Sequence, residues 1–293
     1  MRGSYWLIGA LICAPFQTQA VDWFQKNTPL TQAHQHLLDN DLPSMFSSLV
    51  EVWQQETNPS IEPHLNDLIV QSFDVDCGKS LENKPLPDWI KSVLVRRTDI
   101  QSPGRDAYRA SVEIRTNKEL ADITLKKWVD KSMSADDEMT ISDAGPSANS
   151  DEKVYMKRYN LNSRVSMGLY RIDVTAKDQT SWSSWLILGD PKAKYTVRWA
   201  SKDQWRVEKN ALLNKYCPLP KLNVAFYDYV DGSYNQVWSK TYESDYPTSL
   251  ELVNVPPARY VLAISMTHQR WQGPIIVEQT QIISKTYDVS VEE

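Results

Sequence analysis

Two stretches hold the residues best placed to do chemistry: "DVDCGKSLE" from Asp74 to Glu82 and "NKYCPLPKL" from Asn214 to Leu222, each with a cysteine among motif-like neighbours. The first contains fragments of a phosphate-binding Gly-Lys-Ser and of a calcium-binding Asp-x-Asp, so spacing decides between them. A phosphate loop needs a glycine five residues before Gly78, where Phe73 stands. A calcium loop begun at Asp74 would put Lys79 in place of its turn glycine and Pro85 in place of its closing bidentate glutamate. Neither motif is complete. A zinc site needs four ligands, and His34, His36, His64 and His268 do not fall at ligand spacing around Cys77 or Cys217.

What the two cysteines do therefore depends on the compartment. The chain opens "MRGSYWLIGALICAPFQTQAVDW", with basic Arg2, an apolar run from Trp6 to Phe16, and small residues Thr18 and Ala20 where a signal peptidase reads. The run is too short to span a bilayer, and cleavage after Ala20 is expected, leaving a soluble periplasmic protein. Ile12, ahead of Cys13, argues against lipid attachment. Removing the leader removes Cys13 and leaves two thiols in an oxidising compartment, which predicts a Cys77–Cys217 disulfide. Free buried thiols or an intermolecular bridge are the alternatives.

Other chemistry is sparse. The nine glycines form no Gly-x-Gly and no Gly-x-Ser-x-Gly, and no His-Glu-x-x-His is present, so no catalytic residue, cofactor or metal is expected. His268 in "SMTHQRWQG" could serve as a base beside a serine, but it reads more simply as a loop histidine packed near Trp271. Asp136, Asp137, Glu138, Asp143 and Asp151 lie in a stretch, 134–152, poor in large apolar residues; a solvated loop explains them better than a cation site. The net charge of −5 gives no electrostatic reason to bind nucleic acid. Eleven tryptophans stand out. Trp182, Trp185, Trp199, Trp205 and Trp271 are the candidate partner-binding residues, because exposed indoles anchor protein partners or stack on sugars, while core packing is the plainer account of most.

The elements that must position these residues change character along the chain. From Thr28 to about Arg97 the apolar spacing is helical. Thr28 caps a first helix, and Asp41 caps a second carrying Leu42, Met45, Phe46, Leu49, Val50 and Trp53. Leu65, Leu68, Ile69 and Phe73 mark a third, and "LPDWIKSVLVRR" with Trp89, Ile90, Val93 and Leu94 a fourth; together they predict two helical hairpins. After about Gln101 the period becomes 2, with alternation in "YRASVEIRT" and "GLYRIDVTA" and an Asp231-Gly232 hairpin turn. "GLYRIDVTAKDQTSWSSWLILG" and "ARYVLAISMTHQRWQGPIIVEQ" share an order of Tyr-bearing strand, polar turn, tryptophan and apolar strand, which suggests two consecutive immunoglobulin-like sandwiches. The expected fold class is thus α+β and multidomain: signal peptide 1–20, helical domain 21–99, first β-sandwich 100–190, linker 191–217 and second β-sandwich 218–293, with both sandwiches antiparallel.

This order of exported leader, helical segment with "DWIKSVLVRR" and Trp-rich β region ending "RYVLAISMTHQRWQGPIIVEQ" resembles the VxrC-like family of uncharacterised periplasmic proteins of vibrios, encoded beside the VxrA/VxrB histidine kinase and response regulator. The likeness spans essentially the whole chain. It implies an accessory protein in a cell-envelope stress and secretion regulon, and it carries no functional residues over. The expected function is a non-enzymatic interaction protein that docks another envelope protein, such as a sensor domain. The alternatives are a glycan-binding or glycan-cleaving envelope protein and a chaperone-like or structural subunit of a surface assembly.

Overall fold

The computed structural model describes residues 27–55, 58–143, 152–189, 192–251 and 255–289. The expected leader, with Cys13 and Ala20, lies outside them, as does Asp151.

Among the described residues three α-helices form where the apolar spacing places them: α1 (Pro29–Leu38), α2 (Leu42–Gln55) and α3 (Glu62–Asp76). Thr28 starts α1 by accepting from the Thr31 N–H, and Thr31 returns the bond in a capping box. Asp41 accepts from the Ser44 N–H at 3.3 Å at the head of α2, which buries Leu42, Met45, Phe46, Leu49, Val50 and Trp53. Helix α3 buries Leu65, Leu68, Ile69 and Phe73 and stops at Cys77, whose φ of 64° is left-handed.

Eight strands form one sheet in the order β12 (Ser233–Tyr242), β11 (Lys221–Val230), β13 (Arg259–Gln272), β14 (Ile275–Asp288), β1 (Ile90–Ser102), β2 (Arg105–Thr116), β6 (Lys153–Leu161) and β5 (Asp137–Asp143). A four-stranded sheet runs β4 (Lys131–Ser132), β3 (Leu120–Lys127), β7 (Gly168–Ala176) and β8 (Ser181–Leu188). A hairpin pairs β9 (Tyr195–Trp199) with β10 (Trp205–Lys209). Neighbours are antiparallel except β1 and β14, which run parallel with Arg96 opposite Glu278, their side chains 2.7 Å apart.

At one end of the long sheet the molecule has three layers. Val93, Val95, Val112, Ile114, Tyr155, Ile275 and Val277 pack against Ile123, Leu125, Ile172, Val174, Leu186 and Leu188 of the four-stranded sheet. The other face of that sheet presents Leu169 and Ile187 to the helices. Strict period-2 alternation on β7 divides its side chains between the two cores: Leu169 meets the helices, while Tyr170, Ile172 and Val174 meet the long sheet. At the other end Leu222, Val224, Phe226, Leu262, Ile264, Met266 and Ile283 form a separate core under the β9–β10 hairpin.

The expected α+β arrangement of two helical hairpins followed by two antiparallel immunoglobulin-like sandwiches is not what forms. Two local causes and one long-range pairing explain the difference. "DWIKSVLVRR" is strand β1 rather than a fourth helix: a register irregularity between Ile90 and Ser92 shifts the pleat, so that Ile90 and Val93 are both buried and mimic helical spacing. Val93, Val95 and Arg97 then alternate as a strand must. "YVLAISMTHQRWQ" holds no turn, because Thr267 to Arg270 continue β13 without a break. Tyr260 and Trp271 thus share one strand, whereas Tyr170 and Trp182 lie on two, which removes the structural basis of the internal echo. Finally, the parallel β1–β14 pairing joins strands from opposite ends of the chain into one sheet, so the β region is not two consecutive sandwiches.

Candidate functional site

One face of the long sheet carries a core at each end, and between them the same face is polar. The change can be followed strand by strand at constant parity. On β1, Val93 and Val95 give way to Arg97, Asp99 and Gln101; on β14, Ile275 and Val277 give way to Gln279 and Gln281 before Ile283 restores the core; on β13, Met266 is followed by His268, Arg270 and Gln272. The register places Arg97, Gln279 and His268 in one row across the three strands.

Most of these polar side chains fasten the covering segments to the floor. The Gln272 amide accepts from the Ile187 N–H at 2.9 Å and donates to the Ile187 carbonyl, holding β8. Gln281 accepts from the Val197 N–H at 3.0 Å and holds β9. Arg97 donates to the Gly189 carbonyl at 2.6 Å, and Asp99 pairs with Arg164 at 3.0 Å. His268 Nε2 accepts from the Tyr195 N–H at 3.2 Å, which places the proton of the neutral ring on Nδ1. Burial, with Lys194 adding to it, pushes His268 down to about 4, so the ring is neutral at neutral pH.

Arg270 is different. The residue as a whole is half-buried, but its Nη1 is sealed from solvent and has no hydrogen-bond partner among the described residues. The indole nitrogens of Trp53 and Trp205 are also buried without partners among the described residues, but they are neutral. The Arg270 guanidinium lies over the Phe73 ring, 4.7 Å from its centroid. Burial and the neighbouring Arg97 cation push it down to about 9, which leaves it charged at neutral pH. It lines a cavity of about 120 Å³ whose walls include Val70, Phe73, Leu213, Pro218 and Val277. His268 and Gln279 separate this cavity from a more polar one of about 310 Å³ that holds Arg97, Asp99 and Gln281.

The Cys77–Cys217 disulfide lies against the smaller cavity, spanning 140 residues with its Cα atoms 5.2 Å apart. The neighbours that looked like motif fragments build the junction instead. Asp76 accepts from the N–H groups of Gly78 and Ser80 at 2.9 and 2.8 Å. The backbone of Cys77 and Gly78 then extends the hydrogen bonding of β13, receiving bonds from the N–H groups of Trp271 and Gly273 at 3.0 and 2.9 Å. Gly78 has a φ of 86°, and a Cβ there would collide with the Trp271 carbonyl oxygen, so only glycine permits this approach.

The five tryptophans singled out from the sequence do not converge. Trp182 packs at the edge of the sandwich core, while Trp185 meets Trp128 edge-on at 5.4 Å beneath the helices. Trp199 and Trp205 meet at 6.4 Å in the hairpin-covered core, where Trp205 is buried. Trp271 lies under Lys79 at 4.7 Å. His268 is a strand residue in the cleft floor rather than a loop residue. In the acidic stretch, Asp137 and Glu138 lie on β5 and face Lys157 and Arg158 at 3.2 and 3.9 Å. Among the described residues no group of three or more His, Cys, Asp or Glu side chains is placed to hold a metal ion; His34 and His64 meet Nε2 to Nε2 at 2.8 Å. Among them, too, no helix is long and apolar enough to cross a membrane.

Sequence reasoning missed Arg97, Arg270 and Gln279. The signal was parity: each continues the buried phase of its strand into polar residue types, which marks a strand crossing a cleft.

The fold and site together define a disulfide-tied, mostly β protein with a helical cap and a basic cleft between two cores on one sheet. The chain belongs to the DUF2861 family, proteins of unknown function, which it matches over residues 23–288. No curated protein matches it.

Proposed function

We propose that this is an exported, non-enzymatic docking protein of the cell envelope that recognises another envelope protein through the cleft. The observation that carries the proposal is Arg270: most of the cleft's other polar groups fasten its walls, whereas this half-buried cation lines the cavity and has no partner for Nη1 among the described residues. A structural protein gains little from a cation held partly out of water with Nη1 unpartnered among the described residues, because apolar packing in its place is often as stable. A binding protein gains more, since the charge is satisfied on recognition. The disulfide supports an oxidising compartment. The likeness to the VxrC-like proteins supports a partner in a two-component envelope-stress pathway, such as a sensor domain.

The test is site-specific photocrosslinking in intact cells, with the label replacing Leu213 at the cavity wall and, as a control, Gly104 in the β1–β2 turn. One envelope protein captured from position 213, absent from position 104 and lost in Arg270→Met, supports the proposal. Recovery of peptidoglycan fragments alone would move the function to glycan binding, and identical capture from both positions would end the idea of a docking cleft.

A further inference from the structure

We propose that the smaller cavity is a receptor for a carboxylate carried on a compact apolar body, with Arg270 as its anchor. This rests on the cleft being a binding site and names the chemistry that fills it.

The sign of the ligand follows from the charges around the cavity. Arg270 and the rim residues Lys192 and Lys194 are basic, and the cavity's one described acid, Asp74, is exposed at the surface. The whole chain nevertheless carries −5, so the local positive field runs against the overall balance. Phe73 stacks on the guanidinium and covers it without neutralising it.

The shape and walls set the rest. A planar guanidinium matches the two oxygens of a carboxylate, giving parallel charge-assisted hydrogen bonds. Val70, Phe73, Leu213, Pro218 and Val277 offer apolar contact, so most of the occupant's surface is hydrocarbon. The volume of about 120 Å³ is a little below that of a cavity of about 150 Å³ that accepts benzene, which leaves room for a leucine-sized group. Inorganic phosphate fits poorly, because it carries no hydrocarbon to cover the apolar walls of Val70, Phe73, Leu213, Pro218 and Val277. Two sources share the chemistry: the C-terminal carboxylate of a partner chain ending in an apolar residue, and a free short-chain organic acid.

Isothermal titration of the full mature chain decides. The probes are sodium 4-methylpentanoate, 4-methylpentan-1-ol, sodium phosphate, and the peptide Gly-Ser-Gly-Leu with a free or an amidated C-terminus. We expect a carboxylate probe to bind, its neutral counterpart to bind at least tenfold more weakly, and Arg270→Met to weaken the acid at least thirtyfold. The free-ended peptide binding more tightly than the acid identifies a chain terminus; the reverse identifies a small acid. Arg270→Met should keep or raise the melting temperature, since it removes a half-buried cation whose Nη1 has no partner among the described residues. Lys194→Ala, at the rim, gives a second reading that leaves the anchor in place: about a threefold loss of affinity at low salt that fades as salt rises. Equal binding of acid and alcohol, an unchanged affinity in Arg270→Met, or phosphate binding more tightly than either carboxylate overturns the carboxylate assignment while leaving the docking cleft standing. No binding by any probe also overturns it, and if crosslinking from position 213 fails as well, the cleft is not a binding site.

Discussion

The two ends of the long sheet use the same strands but are covered differently. At the β1–β2–β6 end the sheet lies under a second sheet, and that sheet under three helices, so its residues sit two layers from solvent on that side. At the β11–β13 end the cover is a hairpin of two five-residue strands, with half-buried Tyr195, Trp199 and Val207 at its margins. Exposed Tyr229, Val230, Tyr234 and Val237 follow on the outer β11–β12 hairpin. Shielding of core hydrogen bonds sets local stability, so the hairpin-covered end should open first, and the cleft lies at the boundary between the firm end and the loose one.

The most forceful way to break this contrast is to cut a cavity in each core. Leu186→Ala and Phe226→Ala both remove fully buried side chains, and each should cost roughly 3–5 kcal/mol. Leu186→Ala should lower one cooperative transition, whereas Phe226→Ala should detach an early one, read by hydrogen exchange as lost protection confined to β9–β13. Equal loss of protection across the whole long sheet in both variants would show that the ends do not differ.

The next effect is that of the disulfide, which ties the end of α3 at the firm end to the segment leading into β11 at the loose end. Replacing Cys77 and Cys217 by serine should cost about 3 kcal/mol; the ideal chain-entropy figure for a 140-residue separation, about 5 kcal/mol, is a ceiling. Urea unfolding should show the two ends separating into distinct transitions. A single transition with an unchanged slope would mean that the sheet alone couples them.

The smallest effect is a pH dependence located at the boundary itself. The folded His268 is held near 4, below the ordinary value of 6.5, so between those values the unfolded chain binds the extra proton. Stability from this group is therefore complete above pH 6.5 and is lost as the pH falls towards 4, by roughly 3 kcal/mol at most. His268→Gln, whose amide oxygen can still accept from Tyr195, should remove that share of the acid loss. Parallel urea titrations of the two proteins at pH 7 and pH 4 measure it, and equal acid sensitivity would place the histidine's titration elsewhere.

Much of the local structure was legible in the residues. The capping of Thr28, the i, i+3, i+4 spacing of α2, and the Asp231-Gly232 turn, where both residues take positive φ of 51° and 83°, are short-range matters decided by neighbours in sequence. What misled was the same short-range reasoning applied where tertiary structure intervenes. The pleat irregularity at Ile90 disguised a strand as a helix, and the polar run from Thr267 to Arg270 looked like a turn because a strand interior is expected to be apolar. Arg270 could not be weighed as a site from the sequence, since its isolation depends on Phe73, Arg97 and the segment from 192 to 196 meeting in space.

By itself, then, the sequence determined where the first two helices begin, that a third follows them, that the Asp231-Gly232 turn forms, and that two thiols remained to pair once a leader was assumed. Those outcomes follow from caps, periodicity and counting. Only the tertiary structure decided that β1 and β14 pair in parallel across 182 positions, as in the Arg96–Glu278 contact, and that one sheet rather than two sandwiches results. The physical reason is that pairing depends on which edges meet, and long-range pairing leaves no periodic mark in either partner. The cleft is a consequence of that pairing, because it exists only where two cores share a sheet too long for either to cover.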